Sequence, residues 1–489
     1  MKNIIHVPNG SRYEENGWVR INIKGTPSQR GFAYGQLIKD LMPDIIKAMD
    51  FVMMDDYGVA LDVMKNLIYD IFSPIVTNNY PELMEEIQSI TKGIGKRDID
   101  LQFVFFWNCY YSLGYVFGKL PEIIKSDPEL SNKYGDIFPS GISGGASEGG
   151  AGDKCSAFIA VGNWTEDGKI VCAHNTFDNF IDSQFVNVML CVKPEKGNSF
   201  IMQCAPGQVS SGTDYYVTSN GFIVTETTIG GFNQFKLLNP VFCRIRNAVQ
   251  YSKSLDDFVK FLEDGNSGDY ANSWLIGDTR NNEIMRIELG LNFVNVERKK
   301  NGYFIGFNAP YDGRIRNLEC SNTGFNDIRR HQGARKVRLE QLMKEHKGKI
   351  TVEIGQEILG DHYDVYLNKV NPCSRTCCSH YDLDQREYMS QSDRPLPYQP
   401  RGALDGIVSS TALAKRMGLS ARWGSSCGLP FHAKEFFERN IQWKHQEPYV
   451  IDRPYQPWTT FACVKRKNIK TGKRRTSKRK GKQTRKTNP

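Results

Sequence analysis

The spacing of apolar residues changes along the chain. Over the first third, apolar positions recur every three or four residues in Ile45 to Met53, Leu61 to Phe72 and Leu83 to Ile94, which predicts helices with one buried face. A short stretch from Trp18 to Ile23 precedes them and reads as a strand. In the following GTPSQRGFAYGQLIKDLM, Thr26 or Ser28 is a candidate helix cap, and Pro74 is expected to stop the second helix. From residue 155 the texture is that of strands. SAFIAVGN and KIVCAH flank Glu166-Asp167-Gly168, a hairpin signal, and QFVNVMLCV, SFIMQC and GFIVTETTI follow. Arg244 to Leu262 reads as helix. NSWLIGD, EIMRIEL, NFVNV and GYFIGFN form a second run of strands, with turns at Asn281-Asn282 and Asn301-Gly302. Helical spacing returns at Arg329 to His346, Val352 to Leu359, Thr411 to Met417 and Ala433 to Asn440. Strands, helices and strands again predict an α+β protein, with two layers of sheet and helices outside.

Two segments break these patterns. Gly141 to Gly152 holds six glycines in twelve residues and stops abruptly at Lys154-Cys155. It has too little apolar surface to order itself by packing and reads as a linker. Residues 464–489 carry 13 Lys/Arg and no Asp/Glu. The expected organisation is a mostly helical segment over 1–140, a linker over 141–154, a β-rich core over 155–463 and a disordered basic tail over 464–489.

Charge and cysteines narrow the function classes. The formal charge of +9 comes from the tail, because the body without it holds 50 basic and 54 acidic residues. A nucleic-acid-binding surface therefore does not follow from overall charge. Twelve cysteines in 489 residues are too sparse for a disulfide scaffold, and they read as buried thiols of a reducing compartment. No apolar run reaches membrane-helix length, and Met1 to Gly10 has no apolar signal region, so an intracellular protein is expected.

The chemistry concentrates at the junction. If the peptide bond before Cys155 were cut, Cys155 would carry a thiol nucleophile and its own α-amine as general base. The run CSAFIAVGNWTEDGKIVCAHNTFD resembles the nucleophile region of the phospholipase B-like proteins and of the related acyltransferases typified by acyl-CoA:6-aminopenicillanate acyltransferase, which are N-terminal nucleophile (Ntn) hydrolases. PGQVSSGTDYYVTSNGFIVTETTIGG, GNSGDYANSWLIGD, RRHQGARKVRLEQLM, CCSHYDLD, DGIVSSTALAKRMGLSARWGSSCGLPF and PYQPWTTF resemble further family blocks in order, and GTPSQRGFAYGQLI resembles an early helix motif. The resemblance runs from about residue 20 to 463.

What the resemblance implies is an Ntn-type αββα four-layer sandwich of two stacked antiparallel sheets flanked by helices. Cys155 takes the nucleophile position after a Lys154–Cys155 autocleavage site, with His174 near it and Asn272 as oxyanion donor. Asn175, Asp178 and Thr227 are candidates to line the site. The family also uses an arginine, for which Arg329 and Arg330 are the first candidates and Arg335 and Arg338 the alternatives. The implied reaction is cleavage of acyl esters or amides, phospholipid fatty-acyl esters among them, with transfer of the acyl group to an amine or thiol as the alternative. The implied chemistry needs no cofactor and no metal. Cys373, Cys377, Cys378 and His380 crowd eight residues as a competing zinc reading, but they lack C-x₂-C pairs and adjacent cysteines rarely both reach one ion. A third reading gives the basic tail the working role, holding nucleic acid or an anionic membrane through its charge.

Overall fold

The two runs of strands build two sheets. The computed structural model describes residues 3–138, 155–321, 324–385 and 397–464; the linker with Lys154, and the basic tail beyond Val464, lie outside the described residues. Among the described residues the larger sheet contains β1 (Ile5–Val7), β2 (Gly10–Glu15), β3 (Trp18–Gly25), β6 (Val188–Pro194), β7 (Phe200–Cys204), β8 (Tyr215–Thr218), β9 (Phe222–Thr228), β10 (Asn272–Asp278), β11 (Glu283–Leu289) and β12 (Val294–Lys299), hydrogen-bonded in that order. The second sheet runs β13 (Gly302–Gly306), β4 (Cys155–Val161), β5 (Val171–Asn179), β17 (Asp405–Ser410), β18 (Gly418–Trp423) and β19 (Thr459–Ala462), with β16 (Arg401–Ala403) on β5. A small ladder pairs β14 (Tyr363–Asp364) with β15 (Lys369–Val370). One pairing departs from the expected antiparallel sheets. β3 runs parallel to β6, a geometry that needs a long crossover, and the N-terminal helices lie within that crossover.

The N-terminal helices are α1 (Pro27–Ile38), α2 (Met42–Tyr57), α3 (Leu61–Asn79), α4 (Pro81–Ile94), α5 (Leu101–Val116), α6 (Leu120–Ser126) and α7 (Pro128–Tyr134). After them come α8 (Phe180–Ser183), α9 (Val241–Tyr251), α10 (Leu255–Glu263), α11 (Gly313–Leu318), α12 (His331–Glu345), α13 (Val352–Leu359), α14 (Thr411–Ala414) and α15 (Ala433–Arg439). Helices α1, α9 and α10 meet β3, β8 and β11 of the larger sheet, whereas α12 and α13 meet β13, β5 and β17 of the second. The sheets face each other through β4, β5 and β13 against β9, β10 and β11. The layers are therefore helix, sheet, sheet, helix, as the resemblance implies.

Local chemistry explains the helix boundaries, including two that differ from expectation. Thr26 caps α1 and closes a capping box with Gln29. Pro74 does not stop α3; it sits inside the helix. The loss of one backbone bond there is outweighed by a continuous buried row of Leu67, Ile71, Phe72 and Val76, and the break falls at Tyr80-Pro81, where a proline suits the first turn. The span from Arg244 to Leu262 is two helices, not one, because Ser254 caps α10 in a second capping box with Asp257. Helices α1 and α4 cross closely: a Cβ on Gly35 would fall 2.1 Å from the Ile90 carbonyl. Glu86 of α4 ties the helical layer together, bonding Arg30 of α1 at 2.6 Å and Arg246 of α9 at 2.9 Å.

The cysteines are not all unpaired thiols. Cys191 on β6 and Cys463 just after β19 form a disulfide that joins the two sheets across 272 residues of sequence, with Cα atoms 6.1 Å apart. No described helix is long and apolar enough to cross a membrane.

Candidate active site

β4 begins at Cys155. Its register partner on β5 is Thr176, and the next pair on the same face is Ala157 with His174. That face looks into the space between the sheets, where Ala157, Ile159 and Cys172 join the core. The alternate residues Phe158, Ala160, Val171 and Ala173 face α12 and α13.

Cys155 is buried, and both of its backbone polar groups are held by side chains. Its N–H donates to Asn308 Oδ1 at 3.2 Å. Asn308 follows β13 with φ 66°, the left-handed region that asparagine enters more readily than most residues. Its Nδ2 donates to the Thr228 carbonyl at 2.7 Å, which fixes the amide and turns Oδ1 toward Cys155. Arg335 on α12 donates from Nη2 to the same Oδ1 at 2.9 Å and from Nη1 to the Cys155 carbonyl. The guanidinium is itself held by the His331 carbonyl at 3.1 Å and lies 4.8 Å above the Phe177 ring. Close approach of the sheets is required here, since a Cβ on Gly306 of β13 would meet Thr227 Cγ2 at 2.4 Å.

Asn272 opens β10 and pairs with Thr228, whose carbonyl holds Asn308. Tyr270, two residues earlier, lies within electrostatic reach of Cys155. With its amide oriented to satisfy its neighbours, Asn272 Nδ2 donates to the Ala271 carbonyl at 2.7 Å and to Glu226 Oε2 at 3.0 Å. Burial, reinforced by Asp214, holds the Glu226 carboxyl well above the usual carboxylate range. That shift favours the protonated form, which is a weaker acceptor for the Asn272 hydrogen than a carboxylate.

The other predicted residues distribute unevenly. His174 stands on β5 two register pairs from Cys155, with its ring 6.4 Å from that of Tyr215. Burial pushes its pKa down to about 3, so the imidazole is neutral at physiological pH. Asn175 lies on the opposite face of β5, accepts from Ser156 N at 3.1 Å and donates to the Leu359 and Cys377 carbonyls. Asp178 is ion-paired with Arg401 at 2.9 Å. Thr227 is buried on β9, facing β13. Arg329 is not brought to Cys155: its side chain is 60% exposed and pairs with Asp327, because it precedes α12. Arg330 occupies the N-cap position of α12. Arg338 faces Asp361 at 2.7 Å. Arg335 is the arginine at Cys155.

The sequence held a signal for that choice. His331, Arg335, Leu339 and Met343 recur every four residues, so Arg335 lies on the buried row of α12. Asn308 carries only a weak signal, an Asn at a strand end shortly before Pro310. Asp405 on β17 carries no such signal in the sequence. Its Oδ1 accepts from Thr176 N at 2.8 Å and its Oδ2 from Gln203 at 2.8 Å, directly behind the residue that faces Cys155. Burial raises its pKa to about 7, against the lowering effect of those donors.

Comparison with known proteins gives this geometry a family context. The chain is 24% identical over 356 residues to putative phospholipase B-like 2 of Rattus norvegicus, covering 62% of this chain and 59% of that protein. It is 26% identical over 279 residues to phospholipase B of Crotalus adamanteus, covering 50% of this chain and 47% of that one. The chain thus spans about half to three-fifths of the length of these relatives. Among solved structures, a mutant of conjugated bile acid hydrolase from Clostridium perfringens aligns with a TM-score of 0.31 and 9% identity, over 55% of this chain and 89% of that one. A family model described as Phospholipase B matches residues 146–453. That span covers more than half of the chain and includes Cys155, Asn272, Asn308 and Arg335, and the chain belongs to the phospholipase B family.

Proposed function

We propose that this protein is an acyl hydrolase in which Cys155 is the nucleophile, released as an N-terminal residue by cleavage of the Lys154–Cys155 bond. The observation that carries the reading is the pair of side chains on the Cys155 backbone, Asn308 at its nitrogen and Arg335 at its carbonyl. An α-amine formed there would keep Asn308 Oδ1 as its acceptor. The guanidinium beside it opposes protonation of the amine and so favours its base form.

The proposed chemistry proceeds in two halves. The α-amine takes the thiol proton, and the thiolate attacks the substrate carbonyl. The C–O or C–N bond breaks, the leaving alcohol or amine takes the proton, and an acyl thioester on Cys155 remains. Water then attacks the thioester, giving the acid and restoring the thiol. Asn272 is the proposed oxyanion donor, with the hydrogen that otherwise rests on Glu226. Maturation differs in its base, because the Cys155 nitrogen is still an amide: the thiol adds to the Lys154 carbonyl, the Lys154–Cys155 C–N bond breaks as the thiol proton passes to the Cys155 nitrogen, and water cleaves the resulting thioester to leave the Lys154 carboxylate and the free thiol. His174, its pKa lowered to about 3, is too weak a base to take the thiol proton and stands two register pairs from Cys155, so it has no proton-transfer role in this scheme. The names of the relatives make glycerophospholipid acyl esters the first substrates to assay, beside acyl amides.

Intact mass and N-terminal sequencing of wild type beside Cys155→Ala test the reading. A fragment beginning at Cys155, and acyl release from esters or amides, are expected in the wild type and absent in the variant. A Cys155→Ala chain that is still cut at Lys154–Cys155, or that still hydrolyses the same substrates, overturns it.

A further inference from the structure

The cysteine-rich segment that the proposed chemistry leaves unused converges on a second site. His362 follows α13, Cys378 and His380 lie in the loop after β15, and Cys427 lies in the loop after β18. One side-chain atom from each, two sulfurs and two imidazole nitrogens, falls within 4.8 Å of all the others. Cys378 and His380 are buried, whereas His362 and Cys427 are half-buried and line a cleft of ≈ 720 Å³ with Arg422 and Trp458. Cys373 and Cys377 do not join the group. Cys373 Sγ lies 3.5 Å from Asp364 Oδ2, and Cys377 is in the core against α12 and α13.

We infer that His362, Cys378, His380 and Cys427 form a structural zinc site. Tetrahedral bonds of about 2.3 Å to sulfur and about 2.0 Å to nitrogen place neighbouring sulfur and nitrogen ligands about 3.5 Å apart. His380 Nε2 lies 3.4 Å from Cys378 Sγ and 3.4 Å from Cys427 Sγ. Its other nitrogen, Nδ1, is 3.2 Å from Asp382 Oδ1, a carboxylate that orients the ring with Nε2 toward the two sulfurs. The sulfurs also have hydrogen-bonding neighbours: Leu429 N–H donates to Cys427 Sγ at 3.4 Å, and Ser426 Oγ is 3.2 Å from Cys378 Sγ. Two thiolates balance the charge of Zn²⁺, and their two protons leave to solvent on binding. Four protein ligands close the coordination sphere, which makes the site structural rather than catalytic. Cys427, His380 and Asp382 alone would also suit an activated thiol. A nucleophile, however, has no use for a second thiol and a second imidazole at the same point. The spacing hid the set, because its ligands come from three segments and only Cys378 and His380 are close in sequence.

The full chain, expressed with added zinc and purified under reductant without chelator, tests this by elemental analysis. About one zinc per chain is expected, lost in Cys378→Ser and in Cys427→Ser and kept in Cys155→Ala, so the result is independent of the nucleophile assignment. Reduced, metal-stripped wild type titrated with Co²⁺ should develop the visible bands of a tetrahedral cobalt-thiolate centre, a readout that does not depend on any variant folding. The inference is overturned by wild type that binds neither metal, by zinc that survives in both cysteine variants, or by a Cys378–Cys427 disulfide that persists under that reductant. Zinc-free protein whose Cys427 alkylates far faster than its other thiols would also overturn it, in favour of an activated cysteine.

Discussion

Asp405 makes the stability of the fold depend on pH in a direction opposite to that of most acids. It is fully buried on β17 and accepts from Thr176 N and Gln203 Nε2, yet burial dominates and lifts its pKa from 3.8 to about 7. Between those values the folded chain holds a proton that the unfolded chain has released. The contribution of this group to stability is therefore complete below about pH 4 and is lost as pH rises through about 7. At about 1.4 kcal/mol per unit, the ionised group costs about 4 kcal/mol at pH 8. Asp405→Asn removes that cost. It keeps the bond from Thr176 but places an NH₂ against Gln203 Nε2, a loss of about 1 kcal/mol. At about 2.1 cal/mol/K per residue, the unfolding entropy of a chain this long makes 1 kcal/mol worth about 1 °C. The variant should match the wild-type Tm near pH 4.5 and exceed it by about 3 °C at pH 8, with the gap opening between. Thermal melts of both proteins across this range, in the Cys155→Ala background to keep the chain uniform, measure it. A Tm difference that does not change with pH, or a variant less stable than wild type at pH 8, would refute the assignment of a buried carboxyl forced to ionise.

Further outcomes follow from particular contacts. Arg335→Lys keeps a positive charge but loses the planar fork that bridges Asn308 and the Cys155 carbonyl, so the chain should fold while the proposed cleavage at Lys154–Cys155 slows at least ~10-fold, followed by the rate of fragment appearance on denaturing gels. Cleavage at the wild-type rate would remove Arg335 from the site. Thiol titration of the denatured, non-reduced protein should count ten of the twelve cysteines, and Cys191→Ser should lower stability by about 2–4 kcal/mol in denaturant unfolding. Twelve reactive thiols would refute the Cys191–Cys463 bond.

Much of the fold was legible because its signals are local. Helix α4 shows its buried face in the spacing of Leu83, Ile87, Ile90 and Ile94, and β10 shows its core as the apolar run Trp274 to Ile276 between Asn272 and Asp278. The errors fall where a long-range contact overrides a local one. Pro74 is a valid stop until the buried row on either side of it is known, and the parallel pairing of β3 with β6 is invisible without the sheet. The site divides in the same way. Cys155 is marked by the linker that ends at it, but Asn308 and Asp405 reach its neighbourhood only through β13 and β17. Arg335 was within reach, because its four-residue spacing to Leu339 separates it from Arg329 and Arg330 ahead of the helix.

Strand β5 gives the two sites a common frame. Thr176 faces the same side as Cys155, and its N–H is fixed by Asp405. Asn175, the adjacent residue, faces the other side. Its Oδ1 holds Ser156 N, and its Nδ2 holds the Cys377 carbonyl at 3.0 Å and Ser426 Oγ at 3.0 Å. Those last two groups adjoin Cys378 and Cys427 in sequence. The loops of the inferred zinc site are thus tied by one side-chain amide to Ser156, the residue that follows Cys155. A buried amide with all of its hydrogen bonds engaged is costly to leave half-satisfied, so displacement of either loop falls on Ser156 and the start of β4. On this argument the metal would act on the chemistry only through position, by holding the two loops against which β5 sets Cys155.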